Sequence, residues 1–374
     1  MTRVRLGDVA REVRKRTIEG SDLPTVGLEH LDPGEVELTR WDEDVETTFT
    51  KGFEKGQVLF GRRRAYLHKA VVAPFDGVCS GDITVIAAGD GLSPRLLPFI
   101  IQNDALFKHA VEKSAGSLSP RVKWQGLAEF EIELPGIQAQ EGLADVLWAA
   151  QETRRRYKRL LATCDDVVKS QFVEMFTLQS DGEVVALRDC CASICGGKTP
   201  SMKHPEYYGG NVPFIKSGDV KDDSVSSGSL WLSDTALEEA GVKLIPQNSV
   251  LVVTRSALLQ RKVSTAICNK TVAINQDIKA FIPNEEFGAN YLLWAIRSHE
   301  QRLLAGVRSV STSALDFDDL CSLPIKVASK ERQQKFADFV AQVDKSKFAV
   351  QQALDELNAT TKKILNQELG LGDV

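Results

Sequence analysis

The residues best suited to chemistry in this chain are cations set beside hydroxyls and aromatic rings, and they occur twice. Arg62-Arg63-Arg64-Ala65-Tyr66-Leu67-His68-Lys69 follows an apolar stretch. Arginine forks of this kind suit phosphate oxygens or the edge of a guanine. Arg255-Ser256-Ala257-Leu258-Leu259-Gln260-Arg261-Lys262 is the counterpart in the second half of the chain. A second pair is Gly116-Ser117-Leu118-Ser119-Pro120-Arg121-Val122-Lys123-Trp124 and the stretch from Val307 through Arg308, Ser309, Ser311 and Thr312 to Phe317. Each sets Ser/Thr and Arg ahead of a strand, a combination suited to phosphate contacts. The candidate nucleic-acid contacts are therefore Arg62, Arg63, Arg64, Tyr66, Lys69, Ser117, Ser119, Arg121 and Lys123 in the first half. In the second they are Arg255, Gln260, Arg261, Lys262, Arg308, Ser309, Ser311 and Thr312. A solvated charged hairpin is the alternative for either basic run, and recurrence at equivalent places argues against it. Trp124 and Phe317 occupy equivalent places and read as core rather than base-stacking residues.

Strings that resemble enzyme signatures break down on spacing. Cys195-Gly196-Gly197-Lys198-Thr199 carries the Gly-Lys-Thr end of a phosphate-binding loop, but Ala192 and its neighbours stand where a further glycine is required. Asn211-Val212-Pro213-Phe214 is similar to the Asn-Pro-Pro-Phe of amino-methyltransferases, with Val212 out of pattern. No glycine-rich nucleotide loop opens a strand–helix unit. The five histidines show no nucleophile–base pairing. Cys190, Cys191 and Cys195 with His204 lack paired metal-ligand spacing. Neither intrinsic catalysis nor a metal site is expected.

The elements that must position these clusters are themselves repeated. Leu143, Leu147, Ala150, Arg154, Tyr157, Leu161, Cys164, Val168, Gln171 and Met175 alternate steps of four and three. Phe336, Val340, Val343, Lys347, Val350, Leu354, Leu357, Thr361, Ile364 and Glu368 do the same. This is the spacing of a coiled-coil seam, and a cation interrupts both copies at the same place, Arg154 and Lys347. The seam is carried chiefly by Leu143, Leu147, Tyr157, Leu161, Val168, Phe336, Val340, Val343, Val350, Leu354, Leu357 and Ile364. The repeat extends upstream: Val4-Arg-Leu-Gly-Asp-Val9 is echoed by Val185-Ala-Leu-Arg-Asp-Cys190, and Asp82-Ile83 by Asp277-Ile278. The offset drifts from about 181 residues to 193 by Leu127 and Leu320. Insertions therefore fall in the globular parts.

Short alternating strands with Gly/Pro/Asp punctuation indicate an α+β unit. Shorter helical segments are expected near 94–113 and 289–305, and closing strands over Leu127–Leu134 and Leu320–Val327. The expected architecture is two similar globular domains separated by a long antiparallel two-helix coiled coil with pseudo-twofold symmetry. The boundaries are 1–137 and 179–330 for the globular domains, 138–178 and 331–370 for the helices. Helices of about 35–40 residues would be roughly 50–60 Å long.

Composition bounds the partners. The formal net charge is −5, whereas a lone DNA-binding module is usually basic. Any nucleic-acid surface must be a local patch, or a partner must supply part of the positive field. No apolar run reaches membrane-spanning length and the charged N-terminus has no secretory pattern. Seven cysteines without a framework read as reduced thiols. The expected location is cytoplasmic.

The stretch from Cys195 through Gly-Gly-Lys-Thr-Pro-Ser to Tyr207-Tyr208-Gly209-Gly210 and on to Pro213-Phe214-Ile215-Lys216-Ser217-Gly218-Asp219 resembles a target recognition domain of type I restriction–modification specificity subunits. Lys198 is an insertion relative to that pattern, and Tyr208 and Phe214 stand where tryptophans are usual. In the first half, Val26-Gly27-Leu28-Glu29-His30 resembles the corresponding element. The two-unit, two-helix plan matches that family over nearly the whole chain.

The resemblance implies a division of labour. The chain would read DNA without an active site. Each recognition domain would read one half of an asymmetric bipartite target, with the coiled coil as spacer. Lys198, Thr199 and Lys216 join the candidate DNA contacts on this basis. The partners implied are double-stranded DNA, two methyltransferase (M) subunits carrying S-adenosylmethionine (SAM), and motor–nuclease (R) subunits able to join them, with no membrane. This chain itself would hold no cofactor. The outer helix face at Arg154-Arg155-Arg156 and Lys158-Arg159 is a candidate for partner docking. The alternative is a coiled-coil scaffold that binds protein partners without base readout.

Overall fold

A computed structural model describes residues 1–14, 23–43, 46–178, 182–309 and 313–371. The chain has mixed helix and strand structure and divides into two compact units, Met1–Arg159 with Val350–Val374, and Leu160–Ala349.

In the first unit an antiparallel sheet has the order Ala10–Val13, Ile83–Ala88, Val58–Gly61, Ala70–Val72. Its central strand Val58–Gly61 is buried throughout, because alternate side chains enter two different cores. Leu59, Val71 and Val85 pack with Val26, Leu31 and Phe53. Val58, Phe60 and Ile86 face the helices Leu97–Ile101 and Asp104–Glu112. A smaller sheet sets Gly77–Cys79 between Thr25–Val26, which is parallel to it, and Lys51–Phe53. The ribbon Thr2–Arg5 pairs with Glu131–Leu134, Val4 opposite Ile132.

The second unit repeats this order. Cys191–Gly196, Ile278–Pro283, Val250–Val253 and Thr265–Cys268 form the main sheet, extended by Ser224–Val225. In the smaller sheet Tyr208–Ile215 is again parallel to Val272–Ile274, with Leu244–Ile245 on the latter's other side. Leu230–Leu232 and the helix Asp234–Glu238 are additions to this unit. Val184–Ala186 pairs with Pro324–Lys326.

The first long helix runs Ile137–Val173 and continues as a π-helical turn, Glu174–Leu178. The second runs Lys330–Glu368. Every seam position of both heptad series is buried or half-buried. Within the first unit Leu143 and Leu147 share a core with Leu365 and Leu369. Within the second, Phe172 and Phe176 pack on Phe336, with ring centroids 5.3 and 5.6 Å apart. Gly370 (φ 63°) ends the second helix in the left-handed conformation, and Leu371 N donates back to Asn366 O at 2.9 Å. This is the helix stop that glycine supplies at lowest cost.

Two local expectations are revised. The segment 94–113 is two helices, because Asn103 caps the second: its side chain accepts from Ala105 N at 2.8 Å and donates to Asn366 at 2.8 Å. The segment 289–305 likewise breaks at His299, into Ala289–Ser298 and Glu300–Ala305. Before each closing strand the apolar alternation conceals a helical turn, Trp124–Ala128 and Phe317–Cys321. In the second case Asp316 nucleates the turn by accepting from Asp318 N and Asp319 N.

Candidate nucleic-acid interface

The two basic motifs of each half, more than 50 residues apart in sequence, fold onto one edge of their unit. In the first unit Val58–Gly61 leads into Arg62, whose N donates to Asp82 O (3.0 Å) and whose O accepts from Val122 N (3.0 Å). Arg64 N donates to Pro120 O (2.8 Å), and Arg63 bridges Arg121. Arg121 Nε donates to Asp82 Oδ1 at 2.8 Å, Arg63 Nε donates to Ser119 Oγ at 3.1 Å, and Arg63 Nη1 lies 3.7 Å from Asp82 Oδ2. The bond from Arg121 holds the Asp82 carboxyl below the usual carboxylate range. Asp82 thus orients two arginine forks at the surface.

Arg64 (φ 56°) and His68 (φ 51°) take left-handed backbone on either side of the turn Ala65–Leu67. Non-glycine residues adopt this at a cost of about 1 kcal/mol or more each. The His68 ring stacks on Phe107, centroids 4.4 Å apart. The turn presents Tyr66, 53% exposed, to solvent. Arg64, Ser117 and Lys123 are exposed as well. Leu118 stands out at the loop tip, 92% exposed. Lys69 is directed inward, its Nζ donating to Leu28 O at 2.6 Å. Arg62 is half-buried, with its Nε lacking a hydrogen-bond partner among the described residues.

The second unit makes the same backbone pattern: Thr254 N to Asp277 O (2.8 Å), Leu315 N to Thr254 O (2.9 Å) and Ser256 N to Ser313 O (3.1 Å). Arg255 bridges Ala314 as Arg63 bridges Arg121. Ser256 caps the turn Ala257–Gln260, where Leu258, 58% exposed, takes the place of Tyr66. Arg255, Gln260, Arg261 and Lys262 are exposed. The turn 275–277 that receives Thr254 also gathers the other candidates. Lys198 N donates to Ile274 O (3.0 Å), the Thr199 hydroxyl bonds Gln276, and Ile215, next to Lys216, accepts from Asn275 N (3.0 Å). A Cβ on Gly197 would fall 2.1 Å from Asn275 O, so this approach requires glycine. Arg308–Ser309 pairs through its backbone with Ser313–Ala314. Ser311 and Thr312 lie outside the described residues.

Asp82 and Leu118 belong to this edge but stand outside the candidate contacts named from the sequence. The recurring Asp-Ile step was the signal for the first; an apolar residue between serines was the signal for the second. Trp124 is half-buried against the core, whereas Phe317 is 40% exposed beneath Lys279 Nζ, 5.2 Å from its centroid. Tyr208 and Phe214, at the positions where tryptophans are usual, serve packing: Phe214 is 1% exposed and the Tyr208 hydroxyl donates to Pro200 O at 2.7 Å.

Elsewhere the candidate features resolve into internal contacts. In the first helix's basic run Arg155 pairs with Glu37, Arg156 with Glu152 and Lys158 with Glu35. Cys190 and Cys191 bond backbone carbonyls, and burial pushes both thiols up to about 12. His204 pairs with Glu206 at 2.8 Å. Among the described residues no cluster of three or more His, Cys, Asp or Glu is placed to hold a metal ion. Among them, too, no helix is long and apolar enough to cross a membrane.

A repeated α+β unit that presents paired cationic loops beside an exposed turn has the chemistry to meet a nucleic acid. Residues 179–359 match the family model described as the type I restriction modification DNA specificity domain. The chain is similar to the specificity subunit of the type I restriction enzyme EcoR124I/EcoR124II from Escherichia coli, 30% identical over 152 residues, which is 40% of this chain and 38% of that protein. The chain spans less than half the length of the curated relatives it matches. Two solved structures share its fold. One, from work on complex assembly and conformational transition of the type I R-M system, has a TM-score of 0.56 at 20% identity and covers 98% of this chain and 97% of its own. The other, the type I restriction–modification S subunit from M. genitalium, has a TM-score of 0.52 at 12% identity, covering 100% of this chain and 96% of its own.

Proposed function

We propose that this chain is the DNA sequence-specificity subunit of a type I restriction–modification complex. It reads an asymmetric bipartite target, one half per unit, and docks two methyltransferase subunits. The reading leaves SAM and methyl transfer to those subunits, and cleavage to motor–nuclease subunits where they join. The observation that carries it is the loop pair: cationic and hydroxyl motifs far apart in sequence are joined by one hydrogen-bond pattern in both units. Exposed Arg64 and Tyr66 in one, and Leu258, Gln260 and Arg261 in the other, differ at the tips. A common frame with unlike tips is what two dissimilar half-sites require. The two long helices serve in this reading as an antiparallel spacer setting the unspecified gap. Support comes from packing inside each unit, where the start of one helix meets the end of the other. The acidic total charge fits a chain whose partners share in neutralising phosphates.

The test is co-expression with the methyltransferase subunit and base-resolution mapping of N6-methyladenine on genomic DNA. A single bipartite motif is expected. Arg64→Ala with Tyr66→Ala should relax one half of it, and Gln260→Ala with Arg261→Ala the other. A palindromic motif, or a complex that forms but neither binds nor methylates DNA, would overturn the reading.

A further inference from the structure

The cation that interrupts each heptad seam is neutralised in one unit and not in the other. In the second unit Lys347 Nζ donates to Asp165 Oδ1 (2.7 Å) and Asp223 Oδ2 (3.0 Å). Arg297 Nη1 lies 2.7 Å from Asp223 Oδ1 and Nη2 donates to Thr265 O at 3.0 Å. Asp344 stands one helical turn before Lys347. Two cations and three carboxylates thus share one site.

The repeat gives each a counterpart in the first unit. The 193-residue offset places Arg154 at Lys347, Gln151 at Asp344 and Asn358 at Asp165. Gln102 donates to the carbonyl of Ala70, the first residue of its strand, as Arg297 does to that of Thr265. Val36 O accepts from Val72 N (2.7 Å) as Asp223 O accepts from Ile267 N (2.9 Å). Where the second unit has three carboxylates and an arginine, the first has Asn358, Val36, Gln151 and Gln102, and of these five positions only the seam cation is charged. All five residues line one cavity of about 260 Å³. Arg154 is half-buried, and its Nε is buried without a hydrogen-bond partner among the described residues. No carboxylate among them pairs with it. The one carboxylate on the cavity wall, Asp104, is paired with Lys362 of the same wall at 2.7 Å, and Glu35 and Glu37 are held by Lys158 and Arg155 in an adjoining hollow.

We propose that this first-unit cavity is a binding site for a small monocarboxylate with an apolar body, whose carboxylate pairs with Arg154. The rest of the wall suits such a body: Phe99, Leu147, Ala150, Leu357 and Leu365 supply apolar surface. Asn103 is occupied by its bond to Asn366. A cavity of about 150 Å³ holds benzene, so a benzoate-sized molecule fits with room for its charged end. An unpaired, partly desolvated guanidinium is costly, and a carboxylate is the partner whose geometry answers its fork. The site is independent of whether the loops read DNA.

The test is thermal unfolding of the full chain with sodium benzoate and with benzamide at equal ionic strength. Benzoate at about ten times its dissociation constant is expected to raise the midpoint by roughly 3 °C, and benzamide to leave it unchanged. Arg154→Gln should abolish the response. Asn358→Asp restores the internal carboxylate; it should raise the midpoint without ligand, remove the benzoate response, and lose its benefit when combined with Arg154→Gln. An equal shift with benzamide, no shift, or a benzoate shift that survives Arg154→Gln would overturn the proposal. Protection of Arg154 only on assembly with a methyltransferase subunit, without any benzoate response, would overturn it in favour of a partner side chain.

Discussion

At equivalent places where the long helices join the globular part, one unit is built with leucine and the other with aromatic rings. Leu143, Leu365 and Leu369 in the first unit correspond, at the 193-residue offset, to Phe336, Phe172 and Phe176 in the second. Phe336 packs edge-on to both Phe172 and Phe176, with Tyr291 4.8 Å from Phe176. In the first unit the neighbouring space is the cavity lined by Leu147 and Leu365. One backbone frame therefore carries two different fillings. The heptad spacing fixes which face is buried, while the identity of the buried side chains sets how completely it is filled.

The largest effect should come from truncating the aromatic side of this comparison. Phe336 is fully buried, and Phe336→Ala should cost about 3–5 kcal/mol. Leu143→Ala, at the 8% exposed counterpart, should cost less, about 2–3 kcal/mol, because a smaller and less completely buried side chain is removed. Urea unfolding of both variants measures the difference. Equal losses would mean that the first-unit packing is as tight as the second.

Next in size is the charge site. Asp223→Asn leaves Lys347 with Asp165 and takes the ion pair from Arg297, at an expected cost of about 2–3 kcal/mol for a partly buried pair. Burial alone would raise the Asp223 carboxyl, but Arg297 and Lys347 outweigh it and hold it below the ordinary value of 3.8. Its contribution is then complete above pH 3.8 and is lost as pH falls through the lowered folded value. The difference between wild type and Asp223→Asn in urea should therefore be constant near neutrality and shrink in acid. Val36→Asp in the first unit is the converse experiment.

Much of this comparison was legible in the sequence, and some of it was not. Steps of four and three specify a helix face wherever they run for ten positions, so both long helices and their seam cations could be read directly. The folding of residues 62–64 onto 120–122 could not: that pairing joins segments more than 50 residues apart, and it is set by the shared core beneath them. The parallel placement of Thr25–Val26 beside Gly77–Cys79 is non-local in the same way. Leu127 and Leu320 were legible as buried but not as helical, since a short apolar run satisfies both periods until a cap such as Asp316 decides it.

The loop tips offer an effect of intermediate size confined to one unit. Within the proposed function, Arg64→Ala should cost about 1–3 kcal/mol of discrimination in one half of the target. Lys123→Ala should instead weaken binding across sequences and lower the salt slope by about one. Asp82→Asn should loosen both arginines that it orients. Binding isotherms over a salt series, with each half-site varied separately, distinguish base readout from phosphate contact.

The smallest effect tests the surplus carboxylate of the second unit, for which the first unit has Gln151. Burial, followed by the neighbouring Asp223, pushes the Asp344 carboxyl above its ordinary value of 3.8. A group whose folded value is raised binds its proton more tightly in the folded chain, so the ionised form costs stability at neutral pH. Asp344→Asn should therefore stabilise the chain, by only about 0.5 kcal/mol, because the carboxyl is crowded on its helix-facing side while the rest of the residue stays open to water that screens its charge. The gain should be full above the raised folded value, decline as pH falls towards 3.8, and vanish below it, where both states are protonated. Loss of stability at neutral pH would instead show that Asp344 works with Lys347 as a third counter-ion. The contrast with Gln151 would then be one of charge demand, with the second unit needing every carboxylate that the first has given up.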